Sequence, residues 1–228
     1  MRILLLVTSL IASAIVTSAQ VPTFRAGVDL VTFGVTVVDR KGELVTDLTQ
    51  DDFIVTEDDA PQKVQYFARG DGETAPETHL GLLLDTSGSM ERDLHMARSA
   101  AIKFLNMLPN AEDITLVDFD TEVRVTRYPQ RDFARLVERI RMRKPEGWTA
   151  LYDALGVYLD GADGQSGRTI LVMYTDGADS RSTMSFGNVM ELLKASHVTV
   201  YAVGLVGNTG SMRTELRMRL QQMVDATG

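Results

Sequence analysis

Apolar residues in this chain follow two rhythms, and the change between them falls near residue 80. Before it the period is two. Val31, Phe33, Val35 and Val37 alternate with Thr32, Gly34 and Thr36 along Val28 to Val38, which predicts a long half-buried strand. Asp39 to Gly42 reads as a turn, and Phe53 to Glu57 and Val64 to Phe67 as two further strands joined by Asp58-Asp59-Ala60-Pro61. No helical period occurs here, so residues 22–70 are expected to form a small all-β module compatible with a sandwich, followed by a linker at 71–78. Asp51, Asp52, Glu57, Asp58 and Asp59 read as solvated turn charges.

From residue 79 onward, strands alternate with amphipathic helices. Leu80 to Leu84 has hardly a polar residue and predicts a strand buried on both faces. Leu94, Ala97, Ala101, Phe104, Leu105 and Leu108 then mark one face of a helix beginning near Arg92 and ended by Pro109-Asn110. Ile114 to Phe119 is the next strand, and Val123 with Val125 a short edge strand antiparallel to it. Helix faces follow at Phe133, Leu136, Val137 and Ile140, and at Leu151, Ala154, Leu155 and Tyr158. Strand Ile170 to Tyr174, a helix through Val189, Leu192 and Leu193, strand Val198 to Val203 and a helix through Leu216, Leu220, Met223 and Val224 complete the series. The pattern predicts an α/β fold over 79–228: a doubly wound, mostly parallel sheet with helices on both faces.

The first 19 residues break both rhythms. Arg2, the apolar stretch Ile3 to Val16 and the small residues Thr17, Ser18 and Ala19 read as a secretory signal peptide cut after Ala19. No other run approaches the about 20 apolar residues of a membrane span. The mature protein is therefore expected to be secreted or periplasmic. A net charge of -8 argues against nucleic acid and anionic lipid as partners, and the absence of Cys excludes disulfides and thiol chemistry. An exported chain without Cys fits a bacterial envelope.

Candidate chemistry gathers where strands meet helices. Asp85-Thr86-Ser87-Gly88-Ser89 follows the Leu80 strand, at the carboxyl edge where ligands of open α/β sheets bind. Alternate positions carry one carboxylate and two hydroxyls, with Gly88 expected to let the backbone bend. Hard divalent cations want such oxygens; Mg²⁺ takes six at about 2.1 Å and keeps some waters. Ser and Asp are also preferred helix N-caps, so the turn alone leaves both readings open. Two further loops at the same edge add Thr149, at the mouth of a helix, and Asp176, directly after the Ile170 strand. Asp85 and Asp176 facing each other would repel unless a cation or proton lay between them.

Asp-x-Ser-x-Ser at 85–89, Thr149 in Gly-x-Thr, and Thr-Asp-Gly at 175–177 together resemble the metal-ion-dependent adhesion site of von Willebrand factor type A domains. The resemblance covers about 79–228, and the N-terminal module followed by this domain resembles secreted bacterial proteins of related build. It implies that Ser87, Ser89 and Thr149 bind Mg²⁺ (or Mn²⁺ or Ca²⁺) directly while Asp85 and Asp176 act mostly through water. The cation would then take an Asp or Glu carboxylate from a partner protein at its open position. It also implies a final strand and helix beyond the one at Leu216, so the domain is expected to be incomplete at its C-terminus.

Two other functions compete with this binding module. A phosphatase using Asp85 as nucleophile would need an acid two residues on, where Ser87 stands, and a serine hydrolase using Ser87 would need a base. His95 is expected to face solvent, and His79 and His197 open strands at the opposite edge, so the chain is expected not to be an enzyme. An envelope scaffold with a vestigial site is the other alternative, against which every coordinating residue type is intact. Trp148, beside Thr149, reads either as a core anchor or as a partner contact. Asp179 reads as a surface charge rather than part of a wider acidic rim.

Overall fold

The computed structural model describes residues 34–69, 75–107, 111–205 and 211–227. The expected signal peptide, the first part of the Val28 to Val38 strand and the Pro109-Asn110 stop lie outside them.

The N-terminal part carries less sheet than its alternation predicts. Residues 34–37 form no strand; only an isolated antiparallel bridge joins Val38 to Leu44 across the turn, and Val35 is 65% exposed. The turn itself is as expected, with the Asp39 carboxylate accepting the N–H groups of Lys41 and Glu43. A two-stranded hairpin comes next, β1 (Val55–Glu57) and β2 (Ala60–Gln62). Its second strand is not the expected Val64 to Phe67. Asp58 and Asp59 both take positive φ, 48° and 63°, which closes a two-residue hairpin turn whose twist suits the strands, so Ala60 is already paired with Glu57. The four residues expected to connect the strands thus include the start of β2.

The C-terminal part follows the alternating pattern closely. A five-stranded sheet has the order β5-β4-β3-β6-β7, built from β3 (Thr78–Asp85), β4 (Asp113–Phe119), β5 (Val123–Pro129), β6 (Arg168–Thr175) and β7 (Thr199–Gly204). Every pairing is parallel except β4 with β5. The helices are α1 (Leu94–Met107), α2 (Phe133–Met142), α3 (Leu151–Ala162), α4 (Phe186–Ala195) and α5 (Ser211–Asp225). No helix among the described residues is long and apolar enough to cross a membrane.

β3 lies at the centre because both its faces are apolar. Leu80, Leu82 and Leu84 join the core with α1 and α2, while Leu83 joins the opposite core with α3, α4 and α5. From β3 the chain winds outward to β4 on one side and β6 on the other, which makes the carboxyl ends of β3 and β6 the switch point of the sheet. β5 is longer than expected, seven residues in full register with β4. Arg124 and Arg127 interrupt its apolar alternation, yet both turn their charge onto buried carboxylates of β4, Asp118 and Asp113.

One glycine sets how closely α3 lies on the sheet. A Cβ on Gly81 would overlap the ring of Tyr158, so the strand is bare where the helix presses on it. Gly81→Ala is expected to destabilise the domain by about 1–3 kcal/mol, the range for overpacking a filled core. Urea unfolding checks this, and an unchanged midpoint would contradict the close packing.

Candidate metal centre

Asp85 is the last residue of β3 and its side chain is fully buried. Its Oδ1 accepts hydrogen bonds from the Ser87 N–H (3.0 Å) and the Ser87 hydroxyl (2.6 Å), and its Oδ2 accepts from the Thr175 hydroxyl (2.7 Å). Ser89 extends the chain of oxygens, its Oγ 3.0 Å from that of Ser87. Ser87 precedes a single 3-10 turn, Gly88–Met90, but its side chain makes no capping bond to it. The helix-cap reading of this motif is thereby excluded for Ser87, whose hydroxyl is committed to Asp85.

No cation among the described residues pairs with Asp85. Burial outweighs the bonds from Ser87 and Thr175 that pull its carboxyl down and, with a smaller upward push from the negative charge of Asp176, leaves it raised to about 6. Asp176 follows β6, half-buried, with its Oδ1 accepting the Ala178 N–H at 2.9 Å. The two carboxylates thus belong to one electrostatic site, at the ends of adjacent strands, with no cationic side chain among the described residues paired with Asp85.

Thr149 is brought to the same edge by a loop tied down along its length. Glu146 N–H donates to Thr86 O (2.9 Å), Gly88 N–H to Gly147 O (3.1 Å), Trp148 N–H to the Thr121 hydroxyl (2.9 Å) and Ala150 N–H to Asp120 O (2.9 Å). Gly88 does not take a positive φ, so its expected role as a bend is corrected: a Cβ there would come within 3.2 Å of the Gly147 oxygen, and the glycine lets the two loops touch. Gly147 does need its freedom, at φ +71° and against Thr121. Thr149 is 3% exposed; its N–H donates to the Ser180 hydroxyl (3.1 Å) and its carbonyl accepts from Ser180 and Arg181. The loop after β6 therefore holds Thr149 as well as carrying Asp176.

The donor set fits a hard divalent cation. Among the described residues no three His, Cys, Asp or Glu side chains cluster as metal ligands; hydroxyls outnumber carboxylates here. A buried anion without a counter-charge, flanked by two further oxygens and a second carboxylate, is the complement of a small cation that keeps part of its water. Asp179 serves a structural purpose, its Oδ1 accepting from the Ser182 hydroxyl (2.6 Å) and Tyr152 N–H (3.3 Å). Trp148 is 66% exposed, which rules out the core-anchor reading.

Two features of the site carry only a weak signal in the sequence. Thr175 bonds both Asp85 and, as acceptor, Gly177 N–H (3.0 Å); its signal is a lone hydroxyl ending an apolar strand. The second is a charge cluster beside the site. Buried Asp118 meets the guanidinium groups of Arg124 (2.8 Å), Arg139 (3.2 Å) and Arg143 (2.5 Å), and Arg124 also grips Asp120. Burial alone would raise the Asp120 carboxyl, but Arg124 and the Glu122 N–H hold it below its ordinary value. Its signal is a carboxylate inside an apolar strand followed by Arg139 and Arg143 one helical turn apart.

Comparison with known proteins agrees with this geometry. Residues 80–178 match the von Willebrand factor type A domain. No curated protein sequence matches the chain. An aerotolerance-related membrane protein from Bacteroides fragilis has a similar structure at 15% identity and TM-score 0.52, over 66% of this chain and 88% of that one. The PilB minor pilin of Streptococcus sanguinis is similar at 16% identity and TM-score 0.50, over 68% of this chain and 57% of that one. The vWF domain of the pilus tip protein Mfa5 from Porphyromonas gingivalis is 22% identical at TM-score 0.42, over 46% of this chain, and the match spans only 40% of that structure. At such identities the likeness to the first two is one of fold alone. The sheet order and the matched sequence agree: it is the stretch from residue 80 to 178 that matches the von Willebrand factor type A domain family.

Proposed function

We propose that this protein is a divalent-metal-dependent binding module of the exported kind, which uses a bound cation to take a carboxylate from a partner protein. The observation that carries the reading is Asp85, a fully buried carboxylate that no cationic side chain among the described residues offsets. Ser87, Ser89 and Thr149 would hold Mg²⁺, or Mn²⁺ or Ca²⁺ in its place, through their hydroxyls, with Asp85 and Asp176 acting through water. When bound, the cation supplies an electrophilic centre for an oxygen ligand from outside. The chain's own part is orientation: by donating to Asp85, the Ser87 hydroxyl turns its lone pairs away from that carboxylate, toward Ser89 on the exposed side. The leader-like residues 1–19 support a partner met outside the cytoplasm.

Hydrolysis is the weaker reading because Ser87 has no imidazole beside it. His79 is buried at the amino end of β3, its Nδ1 3.1 Å from Asp113 and its Nε2 3.0 Å from Ser166 O, while His95 and His197 are exposed on α1 and ahead of β7. No turnover of chromogenic aryl phosphates or esters is expected with Mg²⁺ or Mn²⁺ present, and activity lost in Ser87→Ala would overturn this.

Metal should stabilise the fold. At about 100 times its dissociation constant, Mg²⁺ or Mn²⁺ is expected to add about 2.7 kcal/mol, seen as a rise in Tm that Asp85→Ala abolishes. Equal shifts in wild type and variant would remove the site.

Acid should relieve the metal-free protein. The folded Asp85 carboxyl, at about 6, lies above the 3.8 of a free one, so its protonated form favours folding. That contribution is complete below the unfolded value and is lost as pH rises through the folded one. In EDTA, wild type is expected to lose stability relative to Asp85→Asn between about pH 4 and pH 7. Parallel stability curves for the two proteins would show that Asp85 is not ionised against a cost.

A further inference from the structure

The loop that delivers Thr149 also displays the only tryptophan of the chain, and it does so on a fixed backbone. Arg143, just past the end of α2, is anchored on Asp118, and backbone bonds at Glu146, Gly147, Trp148 and Ala150 fasten the segment between α2 and α3. Backbone so constrained usually serves to bury its large side chains. Here the indole remains 66% exposed, and among the described residues neither an aromatic ring nor a cation packs on it. The exposed charges beside it in the chain or beside the residues its loop bonds, Glu122, Lys144, Glu146 and Arg181, are of mixed sign and make no one-sided field. The extended apolar surface of the indole is therefore what this rim offers a ligand, and a rigidly presented aromatic loses little freedom on contact.

We propose that Trp148 is a specificity residue, which packs against a bulky apolar side chain next to the partner carboxylate. Resting on the binding function proposed above, this defines the ligand class: a protein segment in which Asp or Glu is flanked by a residue such as Leu or Phe, rather than by Gly or Lys. The metal centre selects the acid, and the indole selects its neighbour.

The test uses fluorescein-labelled, end-blocked pentapeptides with a central Glu flanked by Leu, by Gly or by Lys, titrated by anisotropy with saturating Mg²⁺. Mn²⁺ uptake is followed separately by electron paramagnetic resonance. Wild type is expected to bind the Leu-flanked peptide about tenfold more tightly than the others, in the range of an aromatic hot spot. Trp148→Ala is expected to lose that preference while taking up Mn²⁺ as before, and Trp148→Phe to keep most of it. With unlabelled peptide, emission of the sole tryptophan should shift to the blue only for Leu flanks. The proposal is overturned if wild type binds all three peptides equally, if Trp148→Ala discriminates as well as wild type, or if no peptide binds. Failure of the metal reading looks different: Mn²⁺ uptake is absent, or binding survives EDTA and replacement of the central Glu by Gln.

Discussion

A carboxylate buried at the end of the central strand, with no positive charge among the described residues to meet it, is the constraint around which the rest of this domain is arranged. Removing Asp85 from water is costly, and three hydrogen bonds from Ser87 and Thr175 offset only part of that cost, since its carboxyl still sits near 6. Asp176 makes matters worse rather than better. The rest of this strand shows no need for an anion: Leu80, Leu82, Leu83 and Leu84 are all buried on packing alone.

The neighbouring strand shows that this omission is specific. Asp118 lies opposite Leu84 in the register of β3 and β4, one step from the pair Asp85 and Phe119. It is as deeply buried as Asp85, yet three guanidinium groups converge on it. Thus one edge of one sheet carries three buried carboxylates, of which Asp118 and Asp120 are met by guanidinium groups and Asp85 by none among the described residues. Asp118 fastens β5 and α2 to β4 and so steadies Asp120 and Thr121, which in turn hold the loop of Trp148 and Thr149. A carboxylate that ties strands together and the one on which the proposed metal site rests differ in what surrounds them, not in residue type or depth.

Much of this was legible in the sequence because it depends on local period. Strands such as Ile170 to Tyr174 and helix faces such as Leu151, Ala154, Leu155 and Tyr158 announce themselves through spacing, and their alternation fixes a doubly wound sheet. The oxygen-rich loops were legible because their residue types are wrong for a core yet adjoin buried strands. What local pattern cannot carry is partnership. The full length of β5 was hidden by arginines whose partners lie on another strand, and β2 by two aspartates that accept positive φ. Alternation makes Val35 half-buried, but it is 65% exposed. Thr175 gave no sign that its hydroxyl would reach back ninety residues to Asp85.

Rigidity comes from the same long-range bonds. Thr149 O accepts from Ser180 and Arg181, while Asp153 of α3 accepts the N–H groups of Thr183 and Met184, so the loop bearing Asp176 is stitched to the start of α3 on both sides. The Ser87 turn is joined to the Thr149 loop through Gly88 and Gly147, and to the Asp176 loop through Asp85 and Thr175. Three segments far apart in the chain thereby behave as one body. Oxygens held in such a body would not have to be ordered by the ligand proposed above, so the free energy of contact would appear as affinity rather than being lost to arranging loops. A surface side chain fixed to that body, as Trp148 is through its own N–H, would share the same advantage, so the proposed rim and floor of the site would act as a single surface.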